Sequence, residues 1–239
     1  MSDMREETED EISLLDLAIT IKENIKLLVL APIAAGVVAL LLEANSALTW
    51  RDVRAILART ARKTDPTHSG WSTNSAGHPI NHEFGFGAID ALAATRAAKT
   101  WALLPAQKTV SRSAQLSRPL TIADNAAAIT STLALQGSGI RQLEFVELAI
   151  TSDHSNVGDL EIALISPAGT ASTLSVVRDC HDDQGSAVGC GAALSSGFTF
   201  GTVRPMDEAA DGTWTLSVRD GKSGDTGRIS AWSIKAYGH

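Results

Sequence analysis

The chain has 239 residues, 44% of them hydrophobic, so it can bury one large core or two modest ones, and disorder throughout does not fit this composition. Its formal net charge of −7 and the lack of clustered Lys and Arg argue against nucleic-acid binding, which needs a basic surface. Five Trp beside one Tyr predict a few core anchors rather than a base-stacking platform.

The first 43 residues divide into an acidic tail and an apolar stretch. Residues 1–11 lack an apolar pattern and predict a disordered, solvated tail. Residues 12–43 predict an amphipathic helix that runs into an apolar helix. From Leu27 to Leu42 about 16 residues carry no polar side chain, whereas a transmembrane helix usually needs roughly 20. A short membrane span and a buried helix both stay open.

Two helices and a loop are predicted in the next segment, residues 44–104. Thr49 and Asp52 form a capping pair ahead of the periodic apolar residues of "TWRDVRAILARTARK". Residues 64–87, rich in Pro, Gly, Asn and His, predict an ordered loop. The Ala-rich residues 88–101 predict a second, closely packed helix.

After Pro105 the pattern changes to alternating apolar and polar residues. The segments "RQLEFVELAI", "GDLEIALIS", "ASTLSVV", "GTWTLSV" and "GRISAWSIKAY" are separated by turn clusters such as "SPAG" and "DGKSGDTG". Several short strands with such punctuation predict an antiparallel β-sandwich over residues 105–239, with Trp214 and Trp232 as core anchors. The fold class is therefore mainly β, preceded by a few α-helices.

Two cysteines, Cys180 and Cys190, lie in the short stretch "RDCHDDQGSAVGCG". A disulfide between them would close a small loop and would indicate an oxidising compartment. Free thiols are the second interpretation. Metal ligation with His181 and Asp182 is the third, although the spacing matches no standard zinc pattern.

Two groups of motifs resemble parts of subtilisin/kexin-type serine peptidases. The apolar "IAAGVVALLLEAN" after Pro32, and "FGFG" with Asp90 and an Ala-rich helix, resemble the end of the peptidase domain. "VGDLEIALISPAGTASTL" and "ADGTWTLSVRDGKSGDTGRISAWSIKAYG" resemble the P domain (P/Homo B) of proprotein convertases. The resemblance implies a jelly-roll-like β-sandwich that packs on a peptidase domain, often with calcium.

The chain departs from the family pattern at the catalytic residues. In this family the nucleophilic serine lies four residues before the helix proline, in a Gly-Thr-Ser motif. Counting back from Pro32 places Leu28 there, with Lys26 and Leu27 before it. No Asp, His or oxyanion-hole Asn motif precedes this point, and acyl transfer needs all these groups in one site. We therefore expect no catalytic residues in this chain.

The first 40 residues, including "EDEISLLDLAITIKENIKLLVLAPIAAGVVAL", are similar to the start of a polysaccharide chain-length determinant protein, where a cytoplasmic helix leads into a transmembrane helix. Both families favour an apolar stretch here. We therefore expect a chimeric sequence whose join lies within residues 29–42.

Four carboxylates are candidate calcium ligands: Asp153 and Asp159 around "VGDL", and Asp207 and Asp211, with Glu208, before "GTW". Turn capping by these side chains is the alternative. His78 and His82 have the i, i+4 spacing of a helical metal site, but Pro79 makes a helix improbable, so structural histidines are favoured. Ser72 and Ser75 near these histidines give only weak evidence for a nucleophile.

These patterns predict a C-terminal fragment of a subtilisin/kexin-like endopeptidase that is inactive alone. A peptidase domain or another polypeptide is the expected partner, outside the cytoplasm, whether secreted, periplasmic or tethered. The alternative is an extracytoplasmic P-domain binding module anchored in a membrane by residues 12–43. If the chain is the endopeptidase fragment, apolar helix faces that a missing sheet once covered would favour aggregation or membrane attachment.

Overall fold

The computed structural model describes residues 34–239. The chain forms two compact units. The first combines the segment that ends at Thr60 with Ile89–Leu103, and the second combines Ala61–Ala88 with Leu104–His239. The predicted segment 44–104 thus contributes to both units, and the predicted segment bounds themselves stay predictions.

The first unit contains three helices: α1 over residues 34–44, α2 over Trp50–Thr60 and α3 over Ala91–Lys99. They share a small apolar core, whose fully buried members are Leu41, Ile56, Ala94 and Ala98. Six large apolar side chains of the unit remain exposed: Leu40, Leu42, Trp50, Ile89, Leu92 and Leu103. No helix within residues 34–239 is both long and apolar enough to cross a membrane.

The predicted capping pair begins α2. Thr49 donates from its backbone N–H (2.8 Å) and its hydroxyl (2.5 Å) to Oδ2 of Asp52. The other oxygen, Oδ1, accepts from the indole Nε1 of Trp101 at 2.9 Å. Asp52 is completely buried, which is tolerated because both oxygens accept hydrogen bonds.

Helix α3 is shorter than the predicted 88–101. Asp90 has an extended backbone and its side chain accepts from Ala93 N–H at 2.8 Å, so the helix begins at Ala91. At the other end Thr100 leaves helical geometry. Side-chain capping at Asp90, rather than alanine content, sets the first residue.

The second unit begins with the predicted ordered loop, which contains a small hairpin. Strands β1 (Ser72–Thr73) and β2 (Pro79–Ile80) pair antiparallel. The ends of the loop are held by an antiparallel bridge between Arg62 and Ala88. Gly87 is required there, since its φ is +120° and a Cβ would collide with the carbonyl oxygen of Arg62.

Two antiparallel sheets form the rest of this unit. In the five-stranded sheet the order is β11-β6-β13-β3, with β4 also paired to β13; the four-stranded sheet has the order β5-β12-β7-β8. The strands are β3 Lys108–Ser113, β4 Leu120–Ile122, β5 Ile129–Leu135, β6 Leu143–Ser152, β7 Leu160–Ile165, β8 Ala171–Ser175, β11 Phe198–Thr202, β12 Gly212–Asp220 and β13 Gly227–Gly238. A short hairpin joins β9 (Cys180–His181) and β10 (Ala187–Val188).

One apolar core fills the space between the two sheets. It is built from the alternating inward residues of β5, β6, β7, β12 and β13. Trp214 and Trp232 are 1% and 2% exposed, as predicted for core anchors. The predicted fold class, mainly β with an antiparallel sandwich after a few helices, is confirmed.

Several predictions fall outside the described residues. They are the acidic tail at 1–11, most of the apolar stretch at 12–43, and the positions Lys26, Leu27 and Leu28. The predicted join within residues 29–42 lies there in part.

Candidate functional site: a polar junction

A cluster of polar side chains joins the loop at residues 61–88 to one end of the sandwich. We call it the polar junction. Its members are Asn74, Ser75 and His78 from the loop, and Ser166, Thr170, Arg204, Asp207 and Glu208 from the sandwich. Loop and sandwich lie in one compact unit, so this contact is internal to it.

Asn74 uses its whole amide in the junction. Its Nδ2 donates to the carbonyl oxygens of Arg204 and Met206, both at 2.9 Å. Its Oδ1 accepts from the backbone N–H groups of Ala76 (3.1 Å) and His78 (2.8 Å). Asn74 is 4% exposed. Since both donors and the acceptor are satisfied, this buried amide fixes the hairpin turn and its attachment to the sandwich together.

Glu208 is the buried acceptor of the junction, at 4% exposure. Its Oε2 accepts from the Ser166 hydroxyl at 2.5 Å, and its Oε1 accepts from the Thr170 hydroxyl. Oε1 also accepts from the backbone N–H of Ser75 at 3.0 Å. Three donors from two parts of the chain therefore converge on one carboxylate. Their hydrogen bonds offset the free-energy cost of burying it.

His78 and Asp207 form a second link. The Nε2 atom of His78 lies 2.7 Å from Oδ2 of Asp207, and the imidazole packs edge-on against Phe86. Asp207 has φ of +64°, a conformation that few residues other than glycine adopt. A backbone held in this unfavourable region at a polar contact indicates that the surrounding structure determines the position of Asp207.

Arg204 completes the junction. Its Nε donates to the carbonyl oxygen of Ala171 at 2.9 Å, and one terminal nitrogen donates to the Ser72 hydroxyl at 2.8 Å. Burial lowers the pKa of Arg204. The pKa of His82 is lowered chiefly by burial and then by the positive charge of Arg204. A cationic His82 is therefore disfavoured beside this arginine.

The side chains of the junction bind the loop to the sandwich. Within residues 34–239 the two His–Asp pairs are His78 with Asp207 and the completely buried His154 with Asp220. Neither imidazole has a serine hydroxyl as a hydrogen-bond partner in this part of the chain. Ser75 instead donates its hydroxyl to the carbonyl of Ala168. Nucleophilic catalysis requires a hydroxyl beside its base.

The four candidate calcium ligands have other partners. Asp153 accepts from the backbone N–H of Arg228, and Asp207 contacts His78. Asp211 accepts from the backbone N–H groups at residues 137 and 138, both at 3.0 Å. Oδ2 of Asp159 accepts from Asn156 Nδ2 at 2.8 Å, which leaves its other oxygen buried, 3.8 Å from the Nζ of Lys222.

The calcium assignment of these four carboxylates stays a prediction. In the described part of the chain no three His, Cys, Asp or Glu side chains group as metal ligands do, and calcium takes six to eight oxygens. At Asp159 a lysine ammonium already supplies the nearest positive charge. The turn-capping alternative describes what Asp153 and Asp211 do here.

The structure joins Cys180 and Cys190 in a disulfide across the β9–β10 hairpin. The backbone N–H of Cys190 also donates to Oδ1 of Asn156 at 2.9 Å, which ties the hairpin to the turn before β7. Gly158 lies directly beneath the sulfur of Cys190. No third metal ligand accompanies the two cysteines within the described residues.

Sequence patterns singled out part of the junction. His78, Ser75, Asp207 and Glu208 were candidates, each for another role, whereas Asn74, Ser166, Thr170 and Arg204 were missed. The signal that could have found them is weak, because the contacts between loop and sandwich join residues 93 to 133 positions apart, and those of Ser166 and Thr170 with Glu208 span 42 and 38 positions. Only the turn residues of "TNSAGH" indicate a fixed loop.

Two family models match the chain. Residues 31–87 match the subtilase family, and residues 143–236 match the proprotein convertase P-domain. The polar junction therefore connects the two matched regions, since Asn74, Ser75 and His78 lie in the first and Arg204, Asp207 and Glu208 in the second. The resemblance of the first 40 residues to a chain-length determinant protein stays a prediction.

Individual proteins match across both regions. The chain is 37% identical over 220 residues to proprotein convertase subtilisin/kexin type 6 of Homo sapiens, covering 87% of this chain and 22% of that protein. It is 37% identical over 198 residues to PC3-like endoprotease variant B of Hydra vulgaris, covering 82% of this chain and 27% of that protein. The chain thus spans about a quarter of these relatives or less.

A solved structure shares the fold. The serine protease of Aeromonas sobria, in complex with its chaperone ORF2, aligns with a TM-score of 0.74 at 26% identity, covering 86% of this chain and 42% of that chain. With 86% of this chain aligned, the match extends beyond the sandwich at residues 105–239. The chain thus combines a segment of the subtilase family with a proprotein convertase P-domain, in the manner of the C-terminal part of a subtilisin/kexin-like serine peptidase.

Proposed function

We propose that this chain is the supporting part of a subtilisin/kexin-like serine endopeptidase: the sandwich holds the end of the peptidase domain in place. The polar junction carries this proposal. Asn74 and Ser75 from the subtilase segment are bound by buried groups of the P-domain, Glu208 above all. Buried and satisfied polar networks specify one relative position, because any shift would leave donors or acceptors unpaired.

The exposed face of the first unit supports a peptidase domain as the partner. Trp50 and Leu92 are 66% and 61% exposed, and Leu40 and Leu103 are nearly half exposed. Exposed apolar side chains in such number are typical of surfaces that another polypeptide covers. The remainder of a subtilase domain is the partner that the family match at residues 31–87 favours.

The chain is proposed to have no peptidase activity of its own. In the family pattern the nucleophile position is occupied by Leu28, after Lys26 and Leu27. In the described part of the chain the imidazoles of His78 and His154 each pair with an aspartate and have no serine hydroxyl as a hydrogen-bond partner. A fluorophosphonate probe, which needs an activated serine, is therefore expected to leave the purified chain unlabelled.

An extracytoplasmic location is part of the proposal. The disulfide Cys180–Cys190 supports it, since such bonds persist in oxidising compartments. The chain is secreted, periplasmic or tethered to a membrane through residues 12–43. Alkaline extraction of membranes separates tethering from the other two locations, because a tethered chain is retained in the pellet and an untethered chain is released. Calcium has no assigned part in this function.

A complementation experiment tests whether this chain stabilises a peptidase domain. The Aeromonas sobria protease, cut before the part that matches this chain, is produced with and without the 239-residue chain. We expect the truncated protease to be unstable alone. When the chain is present, the amount of truncated protease that is soluble and reacts with the fluorophosphonate probe should increase. The variant Leu92→Glu, which places a charge on the exposed apolar face, is expected to abolish this gain.

A matched control separates partner binding from folding. Val188→Glu also places a charge on an exposed apolar position, but on the β9–β10 hairpin of the sandwich. It is expected to complement as well as the unaltered chain. A chain that folds, shown by a cooperative thermal transition, yet gives no gain in reactive protease would overturn the proposed function.

A further inference from the structure

A cleft of about 620 Å³ opens between strands β4 and β5 on one side of the sandwich. Two arginines, Arg118 and Arg228, line it together with the hydroxyls of Thr121 and Thr130 and the apolar side chains of Leu120 and Ile129. We call it the β4–β5 cleft. Its volume lies in the range of ligand-binding clefts, about 300 to 1,000 Å³.

Both walls of the cleft are edge strands. Among the described strands, β4 pairs only with β13, and β5 pairs only with β12. One belongs to the five-stranded sheet and the other to the four-stranded sheet, so the cleft lies where both sheets end. Each edge strand presents backbone donors and acceptors that no neighbouring strand uses, which makes it a template for an added strand.

The two arginines are available to a ligand. In the described part of the chain neither guanidinium has an ion pair or a side-chain hydrogen bond. Two carboxylates near the cleft accept backbone hydrogen bonds: Asp153 from the N–H of Arg228, and Asp124 from the N–H of Gly224. The described residues that line the cleft include these two arginines and no acidic side chain.

Strand register places one arginine beside a hydroxyl. Arg228 is directly opposite Thr121 in the antiparallel pair of β13 and β4. Residues opposite each other in such a pair project from the same face of the sheet. The guanidinium and the hydroxyl therefore stand side by side, as donors to one acidic group.

We propose that the β4–β5 cleft binds an extended acidic peptide segment of a partner polypeptide. Its backbone adds to one of the two strand edges, its carboxylates bind Arg118 and Arg228, and its apolar side chains pack on Leu120 and Ile129. The apolar part of the cleft favours a peptide over a sulfated glycan, because a glycan has charges but no apolar side chains to fill it. Alternate side chains of an extended peptide face opposite ways, so alternating acidic and apolar residues suit both halves of the cleft.

Fluorescence anisotropy with the full 239-residue chain tests this site. The probe is a short fluorescein-labelled peptide that alternates Glu and Val, and the matched probe carries Gln in place of Glu. We expect the Glu peptide to bind at least about tenfold more tightly. Arg118→Ala and Arg228→Ala are each expected to weaken its binding about fivefold or more. Arg141→Ala, at an exposed arginine outside the cleft, should leave binding unchanged.

Two further measurements test the addition of a strand and the chemical class of the ligand. Methylation of alternate backbone nitrogens on the strand-pairing side of the Glu peptide should weaken binding about tenfold, because added strands bind through main-chain hydrogen bonds. If the peptide methylated on its strand-pairing edge binds as tightly as the peptide methylated on its other edge, strand addition is overturned. A heparin oligosaccharide that binds more tightly than the Glu peptide, through the same two arginines, overturns the peptide as ligand. An equal loss of affinity in Arg141→Ala overturns the site itself.

Discussion

The backbone N–H of Ser75 donates a hydrogen bond to Oε1 of Glu208 across 3.0 Å, although 133 positions separate the two residues along the chain. Ser75 belongs to the region that matches the subtilase family, and Glu208 to the region that matches the P-domain. This contact shows that the loop and the sandwich are assembled around a shared buried carboxylate. The stability of one is therefore tied to that of the other.

Removal of this carboxylate is expected to destabilise the second unit. Glu208→Ala removes the buried acceptor of the Ser166 and Thr170 hydroxyls and one of the two acceptors of the Ser75 N–H, which keeps the Thr170 hydroxyl oxygen. We expect the free energy of unfolding to fall by about 2 to 4 kcal/mol, measured by urea denaturation. Asp183→Ala, at an exposed carboxylate, should change it by no more than about 0.5 kcal/mol. Equal effects of the two variants would contradict a structural role of Glu208.

Loss of the Asn74 amide should release the loop before it unfolds the sandwich. Asn74→Ala removes two donors to carbonyl oxygens of the sandwich and one acceptor for the turn. We expect faster proteolytic cleavage within residues 61–73, and a loss of about 1 to 3 kcal/mol in the free energy of unfolding. Ser69→Ala, at an exposed residue of the same loop, is the matched control. Unchanged cleavage in Asn74→Ala would show that the loop is held by other contacts.

Gly158 is expected to be required for closure of the disulfide. A Cβ at this position would collide with the sulfur of Cys190 and lie 2.8 Å from the carbonyl oxygen of Arg178. Gly158→Ala should therefore cost about 1 to 3 kcal/mol of stability and leave free thiols after oxidative folding, detected by thiol titration. Gly189→Ala serves as the control, since nothing lies within 4 Å of its Cβ. Full oxidation of both variants would refute the steric argument.

A surface ion pair should contribute to stability only above acidic pH. Two hydrogen bonds from Arg219 to Glu161, at 3.0 and 2.6 Å, lower the pKa of that carboxyl below its ordinary 4.5. A carboxyl with a lowered folded-state pKa stabilises the fold above its unfolded pKa and loses this contribution as pH falls through the folded value. The effect is small, since both side chains are about 40% exposed.

The measurement is the pH dependence of the urea midpoint from pH 6 down to about pH 3. Glu161→Gln and Arg219→Gln should each flatten the curve below pH 4.5, the ordinary pKa of the carboxyl. The double variant should match either single variant, because the pair acts as a unit. Additive losses would mean that the two residues act independently.

Sequence patterns predicted the fold best where burial is one-sided. The alternation in Leu143–Ser152 and Gly212–Asp220 is regular because each strand has one face in the core, and both strands were predicted. Lys108–Ser113 escaped prediction, since almost every residue of this edge strand is exposed and polar side chains follow no period there. The capping pair at α2 was predictable because both its residues are local.

The candidate site was less predictable than the fold, for a physical reason. Asn74, Arg204 and Glu208 are ordinary loop residues until the chain brings them together, and no local pattern encodes a contact across 130 positions. Asp207 was singled out as a calcium ligand from the acidic composition of its neighbourhood. Its contact with His78 depends instead on a left-handed backbone at Asp207, which the sequence does not indicate.

The amide of Asn74 bonds to carbonyl groups 130 and 132 positions further along the chain, and this separation sets an order of assembly. During synthesis the loop at residues 61–88 emerges long before residues 204–208 exist, and contacts of such high contact order form slowly. The second unit therefore completes its fold only after residues 204–208 have left the ribosome. Until then the amide of Asn74 lacks its two carbonyl partners, and the nascent loop is open to proteases.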